Sequence, residues 1–209
     1  MRLVFFDFDG TLTTCDTIRP LASFLCSSLG GSGRSRVSVD LSLLLLKLRM
    51  TSNHTFKQEF LRELLKGRSA ACVRELVQRF HATYLEAVWN RPVLQSLLNH
   101  AAAGDDVWLV SSNFDFFLQP LQERWNLRGI LATETEVRDG GFTGRILGRA
   151  CDGREKLSRV VATFGERRAR EAVAYGDSRS DSYLLQFVKT GHWVRPRRGS
   201  AAAFPRPAA

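Results

Sequence analysis

The hydrophobic and polar residues of this chain follow two patterns, one typical of buried strands and one typical of amphipathic helices. Residues 2–8 contain a short run of Leu, Val and Phe that is followed by an aspartate, which predicts a fully buried strand. From residue 16 to about residue 104, apolar residues recur at intervals of three and four, which predicts helices almost throughout. The stretch GGSGRS at residues 30–35 predicts a flexible break between two of these helices.

Beyond residue 104 the pattern changes to short strands that alternate with helices. It predicts strands over 106–112, 129–135 and 172–178, a hairpin over 137–146, helices over 154–164 and 180–187, and a short final strand. This order predicts an α/β fold, a Rossmann-like doubly wound parallel sheet with an all-helical cap inserted after the first strand. The predicted core is discontinuous, residues 1–15 and 105–198, and the cap covers residues 16–104. The low-complexity residues 199–209 are expected to be disordered.

The 209 residues carry a net charge of +9. Such an excess is typical of proteins that bind nucleic acid or anionic membranes, and also of enzymes that attract phosphorylated substrates. Part of it lies in the tail, because four arginines fall in the last fifteen positions. Neither interleaved aromatic residues nor a nucleic-acid-binding motif accompanies these arginines, so no nucleic-acid partner is expected.

The four cysteines are scattered, without CxxC or zinc-ligand spacing, which predicts free thiols in a reducing compartment. No signal peptide is recognisable, so we expect a cytoplasmic protein. The most apolar stretch, residues 37–48, contains Asp40 and Lys47 and is shorter than the ~20 residues of a membrane-spanning helix. We interpret it as an amphipathic helix of the cap, with a helix that touches a membrane as the alternative.

Reactive side chains follow three of the predicted strands. In chain order they are Asp7 and Asp9, Ser111 and Ser112, and Asp177 and Asp181. The carboxyl ends of parallel strands meet at one edge of a sheet, so we expect these side chains to lie together. Asp7 and Asp9 would face the same way, and the repulsion between their charges requires a metal cation or a shared proton. Several carboxylates favour a hard cation such as Mg²⁺, while a hydroxyl and the ammonium of Lys156 suit phosphoryl oxygens.

Four segments, in this order, resemble the motifs of the haloacid dehalogenase superfamily in its phosphatase branch: DFDGTLT, VWLVSS, the lysine in CDGREKLSRV, and YGDSRSD. The helical insertion and the segment GGFTGRILGRACDGREK resemble the subgroup that includes phosphoserine phosphatase, with a C1-type cap. The resemblance extends to about Arg197. It implies a Mg²⁺-dependent phosphomonoester hydrolase that acts through an aspartyl-phosphate on a small phosphorylated metabolite.

The resemblance also implies a role for each carboxylate of the site. Asp7 would be the nucleophile that attacks phosphorus. Asp9 would protonate the leaving alkoxide and then act as the base for the hydrolytic water. Mg²⁺ would be held by Asp7, the backbone carbonyl of Asp9, and Asp177. Asp181 would orient Lys156 or a metal-bound water.

The remaining implied residues bind the phosphoryl group. Ser111 and Lys156 would bind its oxygens, with Ser112 as the alternative hydroxyl. Gly10 would let the backbone turn sharply beside the phosphate. The histidines show no ligand spacing and are interpreted as structural or surface residues.

The sequence departs from the phosphoserine phosphatase pattern at positions that would select the substrate. Asp16 stands where that family has a Glu, and Glu63 falls at the position of a cap Arg, with Arg62 one residue away. Asp16 and Arg62 are therefore the candidate selection residues, and free phosphoserine is expected to be a poor substrate. A phospholipid head-group phosphatase (phosphatidylglycerophosphatase-like) and a phosphoserine phosphatase remain alternatives. The alternative from another class is an inactive binding module with the same fold.

Overall fold

The structure is a computed structural model that describes residues 1–30, 33–48 and 50–195. Its strands are β1 (Leu3–Phe6), β2 (Asp106–Phe114), β3 (Gly129–Thr133), β4 (Thr135–Arg138), β5 (Gly141–Ile146), β6 (Val173–Gly176) and β7 (Thr190–Trp193). Within the described ranges, five strands form a parallel sheet in the order β3-β2-β1-β6-β7, and β4 pairs with β5 in an antiparallel hairpin. The predicted α/β fold is confirmed. The predicted tail, residues 199–209, lies outside the described residues.

Strand β1 lies in the middle of the sheet and is buried on both faces. Val4 and Phe6 belong to the hydrophobic cluster on one face, and Leu3 and Phe5 belong to the cluster on the other. This follows from the alternation of side chains along a strand, and it explains why the run is apolar throughout. Because β1 is central, the residue that follows it emerges in the middle of the sheet edge.

The helices between β1 and β2 form the predicted insertion. They are α1 (Ile18–Ser28), α2 (Gly33–Lys47), α3 (Asn53–Phe60), α4 (Ala70–Phe80), α5 (Glu86–Val88) and α6 (Arg91–Ala102). Helices α3 and α4 continue directly into π-helical turns over Leu61–Leu65 and His81–Leu85. The predicted break at residues 30–35 is only partly correct, because α2 already begins at Gly33, and Gly and Ser are well tolerated where a helix starts. Residues 31 and 32 lie outside the described part of the chain.

Aromatic side chains join the insertion to the sheet. The rings of Phe60 and Phe114 lie 5.0 Å apart, and those of Phe80 and Phe117 lie 5.9 Å apart, measured between centroids. Phe8, just beyond β1, packs edge-to-face on Phe117 at 5.7 Å. Burial of such large apolar rings is a strong contribution to packing, so the insertion is fixed against the carboxyl ends of β1 and β2.

The second half of the chain carries the remaining helices α7 (Asp115–Arg124), α8 (Arg154–Phe164), α9 (Glu166–Arg170) and α10 (Ser182–Phe187), the last preceded by a 3₁₀ turn at Arg179–Asp181. The hairpin of β4 and β5 turns at Asp139 and Gly140, whose φ angles of 50° and 73° suit a two-residue turn. Gly141 follows the turn directly and is the first residue of β5.

Candidate active site

The chain leaves β1 at Asp7 and turns back over Phe8–Leu12. Gly10 adopts a φ of 78°, which favours glycine, and a Cβ atom placed on it would lie 2.2 Å from Oδ2 of Asp177. A side chain at this position would therefore collide with the carboxylate that follows β6. Glycine allows the segments after β1 and β6 to approach closely and brings Asp7 and Asp177 together.

Three carboxylates converge at this edge of the sheet. Asp7, Asp177 and Asp181 each place an oxygen so that all three lie within 4.8 Å of one another. The hydroxyl of Thr11 lies 3.2 Å from Asp7 Oδ2 and 3.3 Å from Asp177 Oδ1, but it has one proton and cannot donate to both. Burial raises the pKa of Asp7 to about 6, with Lys156 opposing and Asp181 adding to the shift. Burial, with Asp7 and Asp181 adding to it, raises the pKa of Asp177 to about 7. This donor set fits a hard divalent cation such as Mg²⁺.

Lys156, near the start of α8, supplies the positive charge of the cluster. Its Nζ donates to Asp7 Oδ1 at 2.7 Å and to Asp181 Oδ1 at 2.5 Å, and the residue is 1% exposed. Burial opposes its charge, but the two carboxylates outweigh burial and raise the pKa of Lys156. Asp181 Oδ2 accepts from the amide and hydroxyl of Ser178. Both oxygens of Asp181 are thus engaged, so this residue holds Lys156 in place.

Asp9 lies beside the cluster with hydrogen bonds of its own. Its Oδ1 accepts from the amide of Thr17 at 2.9 Å and from its hydroxyl at 2.6 Å, and its Oδ2 accepts from Asn113 Nδ2 at 2.9 Å. Oδ2 therefore keeps a lone pair on which a proton can reside. Burial, assisted by the charge of Asp16, raises the pKa of Asp9 to about 7. A carboxyl group with this pKa can both donate and accept a proton near neutral pH.

A cavity of about 230 Å³ opens over these groups. Its lining residues are Asp7, Asp9, Gly10, Asp16, Ser112, Lys156, Asp177, Ser178 and Ser180. Ser111 is buried and is not part of this lining, and its Oγ accepts from the amide of Asn113 at 3.2 Å. The exposed guanidinium of Arg62 binds Glu59 at 2.7 Å and Glu63 at 3.2 Å, outside the cavity. Of the two candidate selection residues, the structure brings only Asp16 to the site.

Several residues of the site are absent from the sequence-based predictions. The hydroxyls of Thr11 and Thr17 donate to carboxylates of the site. Thr11 belongs to the DFDGTLT motif, which is the sequence signal that could have identified it. Asn113 reaches Asp9 from the end of β2. Lys57 of the insertion is buried and donates to the backbone carbonyl of Ser112, and no signal marked it, because a helical lysine is normally exposed to solvent.

Comparison with known families decides the relationship. A family model described as haloacid dehalogenase-like hydrolase matches residues 4–186. The chain belongs to this family. The resemblance inferred from the sequence motifs is therefore confirmed, and the cluster of Asp7, Asp9, Lys156 and Asp177 occupies the matched part of this hydrolase.

One related sequence and two solved structures extend the comparison. It is 29% identical over 196 residues to a phosphoserine phosphatase of Archaeoglobus fulgidus, covering 91% of this chain but 51% of that protein, so it spans about half of that relative's length. A solved structure of a Bordetella pertussis protein of unknown function matches 88% of this chain and 86% of its own, with a TM-score of 0.78 and 24% identity. A solved structure of a phospho-aspartyl intermediate analogue of phosphoserine phosphatase matches 90% of this chain and 83% of its own chain, with a TM-score of 0.63 and 19% identity. Both structures share the fold.

Proposed function

We propose that this hydrolase cleaves phosphomonoesters with the help of Mg²⁺, through a phosphorylated Asp7. The observation that carries the proposal is the pairing of two carboxyl groups with different surroundings on one cavity wall. Asp7 is bound to the ammonium of Lys156, and Asp9 has a raised pKa of about 7. One is thereby suited to attack as a carboxylate and the other to transfer a proton. The similarity to a phosphoserine phosphatase supports the hydrolysis of a phosphomonoester.

In the first step, an oxygen of Asp7 attacks phosphorus in line with the leaving alcohol. A P–O bond forms to Asp7 while the P–O bond to the leaving group breaks, and Asp9 transfers its proton to the departing oxygen. Lys156 and Thr11 each bind one oxygen of Asp7 and so hold the carboxylate for attack. In the second step, Asp9 takes a proton from the water that attacks phosphorus, which releases phosphate and restores Asp7.

Asp7, Asp177 and the backbone carbonyl of Asp9 would hold the Mg²⁺ ion. When bound, the ion offsets the charge that a carboxylate and a phosphate bring to each other. Asp181 lies behind this group and fixes Lys156 through its own Oδ1. The protein therefore divides its carboxylates between a cation site and the positioning of the lysine.

The proposal is tested with p-nitrophenyl phosphate and the purified full chain. We expect turnover that requires Mg²⁺ and is lost in Asp7→Asn, which removes the nucleophile and a ligand charge at nearly constant volume. Asp139→Asn, in the exposed hairpin turn, is the matched control and should keep full activity. An inactive wild type, or an active Asp7→Asn protein, would refute the proposal.

The hydroxyl that binds the phosphoryl group is proposed to come from Ser111 or Ser112. The sequence motif points to Ser111, whereas the lining of the cavity supports Ser112. Parallel Ser111→Ala and Ser112→Ala variants separate them through inhibition by inorganic phosphate. The variant that loses affinity by roughly tenfold, the value of a charge-assisted hydrogen bond, identifies the ligand. If neither loses affinity, no hydroxyl of this segment binds phosphate.

We propose a small phosphorylated metabolite as the substrate. The 230 Å³ of the cavity is below the range of about 300–1,000 Å³ that is usual for drug-sized ligands, and its wall is polar. No arginine is among the described residues that line it, so the carboxylate of free phosphoserine would lack a guanidinium partner. We therefore expect free phosphoserine to have a lower kcat/KM than at least one bulkier or more apolar phosphomonoester. A result in which phosphoserine is the best substrate by more than about tenfold would contradict this expectation.

A phospholipid head group is the second candidate, and one observation favours it. Val37, Leu41, Leu44 and Leu48 follow a helical spacing, and each is between 51% and 67% exposed. An apolar stripe of this kind can lie against a lipid surface. None of the described helices is long and apolar enough to cross a membrane. A short-chain phosphatidylglycerophosphate in the same substrate panel tests this candidate, which fails if the lipid is not hydrolysed.

A further inference from the structure

Lys57 is a buried lysine that reaches from the helical insertion to the sheet. It belongs to α3, is 3% exposed, and its Nζ donates to the backbone carbonyl of Ser112 in β2. The same Nζ lies 5.0 Å from the centre of the Phe114 ring. A lysine side chain seldom buries its whole length, so this placement calls for a reason beyond packing.

The charge of Lys57 is poorly compensated by the protein. Among the described residues, Lys156 and Lys189 are the lysines that form ion pairs, and no carboxylate lies within ion-pairing distance of Lys57. Burial lowers its pKa, while Asp9 and Asp16 oppose this from a longer distance. A buried ammonium with one carbonyl and one aromatic ring as partners destabilises a protein, and an apolar residue would pack there at lower cost. Of the carboxylates that support its charge, the two with the largest effect, Asp9 and Asp16, line the active-site cavity, and the third, Asp152, does not.

The carbonyl that Lys57 binds belongs to a peptide with two further connections. The oxygen of Ser112 also accepts from the hydroxyl of Thr133 at 2.7 Å, so both of its lone pairs are occupied. The N–H of the same peptide belongs to Asn113 and donates to Ser111 Oγ at 3.2 Å. Because a peptide unit is planar, fixing the direction of its oxygen also fixes the direction of its N–H.

This peptide connects two groups of the proposed reaction. On one side it directs the hydroxyl of Ser111, and on the other it leads into the side chain of Asn113, whose Nδ2 donates to Asp9 at 2.9 Å. Lys57 belongs to the insertion and Ser112 to the sheet. The contact between them therefore exists only while the insertion lies on the sheet.

We propose that Lys57 is a positioning residue: by holding the Ser112 carbonyl it sets the peptide that orients Ser111 and Asn113, and through Asn113 it orients Asp9. The inference rests on the proposed function, since it assigns Lys57 a part in the same reaction without contact to the substrate. It makes the contact between the insertion and the sheet a condition for a correctly aligned acid. It also gives a reason for burying a charge at a site where methionine would pack more favourably.

The first test compares Lys57→Met with Lys66→Met, an exposed lysine of the same insertion. Misplacing an acid by a fraction of an ångström reduces the chemical step, so we expect kcat of Lys57→Met to fall by about tenfold or more, with KM changed by less than about threefold. The control should keep both constants. Thermal unfolding establishes that both variants are folded. A purely structural role of Lys57 would change stability without changing kcat.

The second test needs no substrate. Amide hydrogen exchange at Asn113 should be faster in Lys57→Met than in the wild type by about tenfold or more, and unchanged in Lys66→Met. Unchanged kcat, a rise in KM alone, or unchanged exchange at Asn113 would each overturn the proposal, and the rise in KM alone would make Lys57 a substrate ligand. If the wild type hydrolyses no phosphomonoester, the proposed function fails, while the exchange experiment still decides whether Lys57 holds this peptide.

Discussion

Raising the pH from about 5 to about 8 should destabilise the metal-free protein, and Mg²⁺ should reverse the loss at the higher pH. The reason lies in the buried carboxyl groups of the site. Burial raises the pKa of Asp7 from 3.8 to about 6 and that of Asp9 from 3.8 to about 7. A carboxyl group with a raised pKa in the folded state contributes stability below its unfolded pKa and loses it as the pH rises through the folded value.

The size of the effect follows from these pKa values at about 1.36 kcal/mol per pH unit. Between pH 5 and 8, Asp9 lowers the free energy of unfolding by roughly 2–3 kcal/mol and Asp7 lowers it by about 1 kcal/mol. His81 acts in the opposite direction, because burial, with Arg124 adding to it, lowers its pKa from 6.5 to about 3. The neutral form of His81 is favoured in the folded state, so this residue raises the free energy of unfolding by about 2 kcal/mol between pH 5 and 8. The combined loss of stability from Asp7 and Asp9 is larger than this gain. The half-buried Asp177, whose pKa is also raised, adds to the loss.

The net loss of about 2 kcal/mol corresponds to a fall in Tm of roughly 4–8 °C for a domain of this size. The assay is thermal unfolding of the full chain in a chelating buffer at pH 5, 6, 7 and 8, repeated in excess Mg²⁺. The ion binds deprotonated carboxylates, so it should raise Tm at pH 8 and have little effect at pH 5. Asp7→Asn should reduce the Mg²⁺ effect, and Asp139→Asn should not. A metal-free Tm that stays constant or rises from pH 5 to 8, or equal stabilisation by Mg²⁺ at both pH values, would show that these carboxyl groups do not control the pH dependence of stability.

Two substitutions test other parts of the same cluster. Lys156→Met leaves the buried carboxylates of Asp7 and Asp181 facing each other, so we expect turnover to be lost and the protein to be destabilised by about 3–5 kcal/mol at pH 8. Because protonation relieves that repulsion, equal destabilisation at pH 5 would contradict this explanation. Gly10→Ala places a Cβ atom 2.2 Å from Asp177 Oδ2 in a left-handed backbone conformation. It should weaken Mg²⁺ binding by about tenfold or more, as measured by the Mg²⁺ dependence of turnover, and unchanged dependence would show that the contact is not rigid.

The parts of the site that belong to the sheet could be predicted because one rule of topology determines them. Asp7 and Asp177 each follow a strand whose apolar pattern is clear, and parallel strands that are neighbours in a sheet must end at the same edge. The end of β2 is less predictable. The strand continues through Phe114, beyond the predicted end at Ser112, although Asn113 is a poor strand former. Bonds from Lys57 and Thr133 to the Ser112 carbonyl hold this segment, and both partners are distant in sequence.

The polar residues of the insertion could not be predicted to the same depth, because the hydrophobic repeat does not indicate which polar side chain will be buried. Residues up to Phe60 follow the α-helical repeat, and Lys57 points toward the sheet. The chain then enters a π-helical turn, closed by the amide of Lys66 bonding to the carbonyl of Leu61 at 3.0 Å. Leu61, Leu64 and Leu65 are buried within this turn, so the hydrophobic repeat still predicts which apolar side chains face inward. Arg62 lies in this turn and is exposed to solvent. The cationic side chain of the insertion that contacts the sheet is instead Lys57, about one turn earlier.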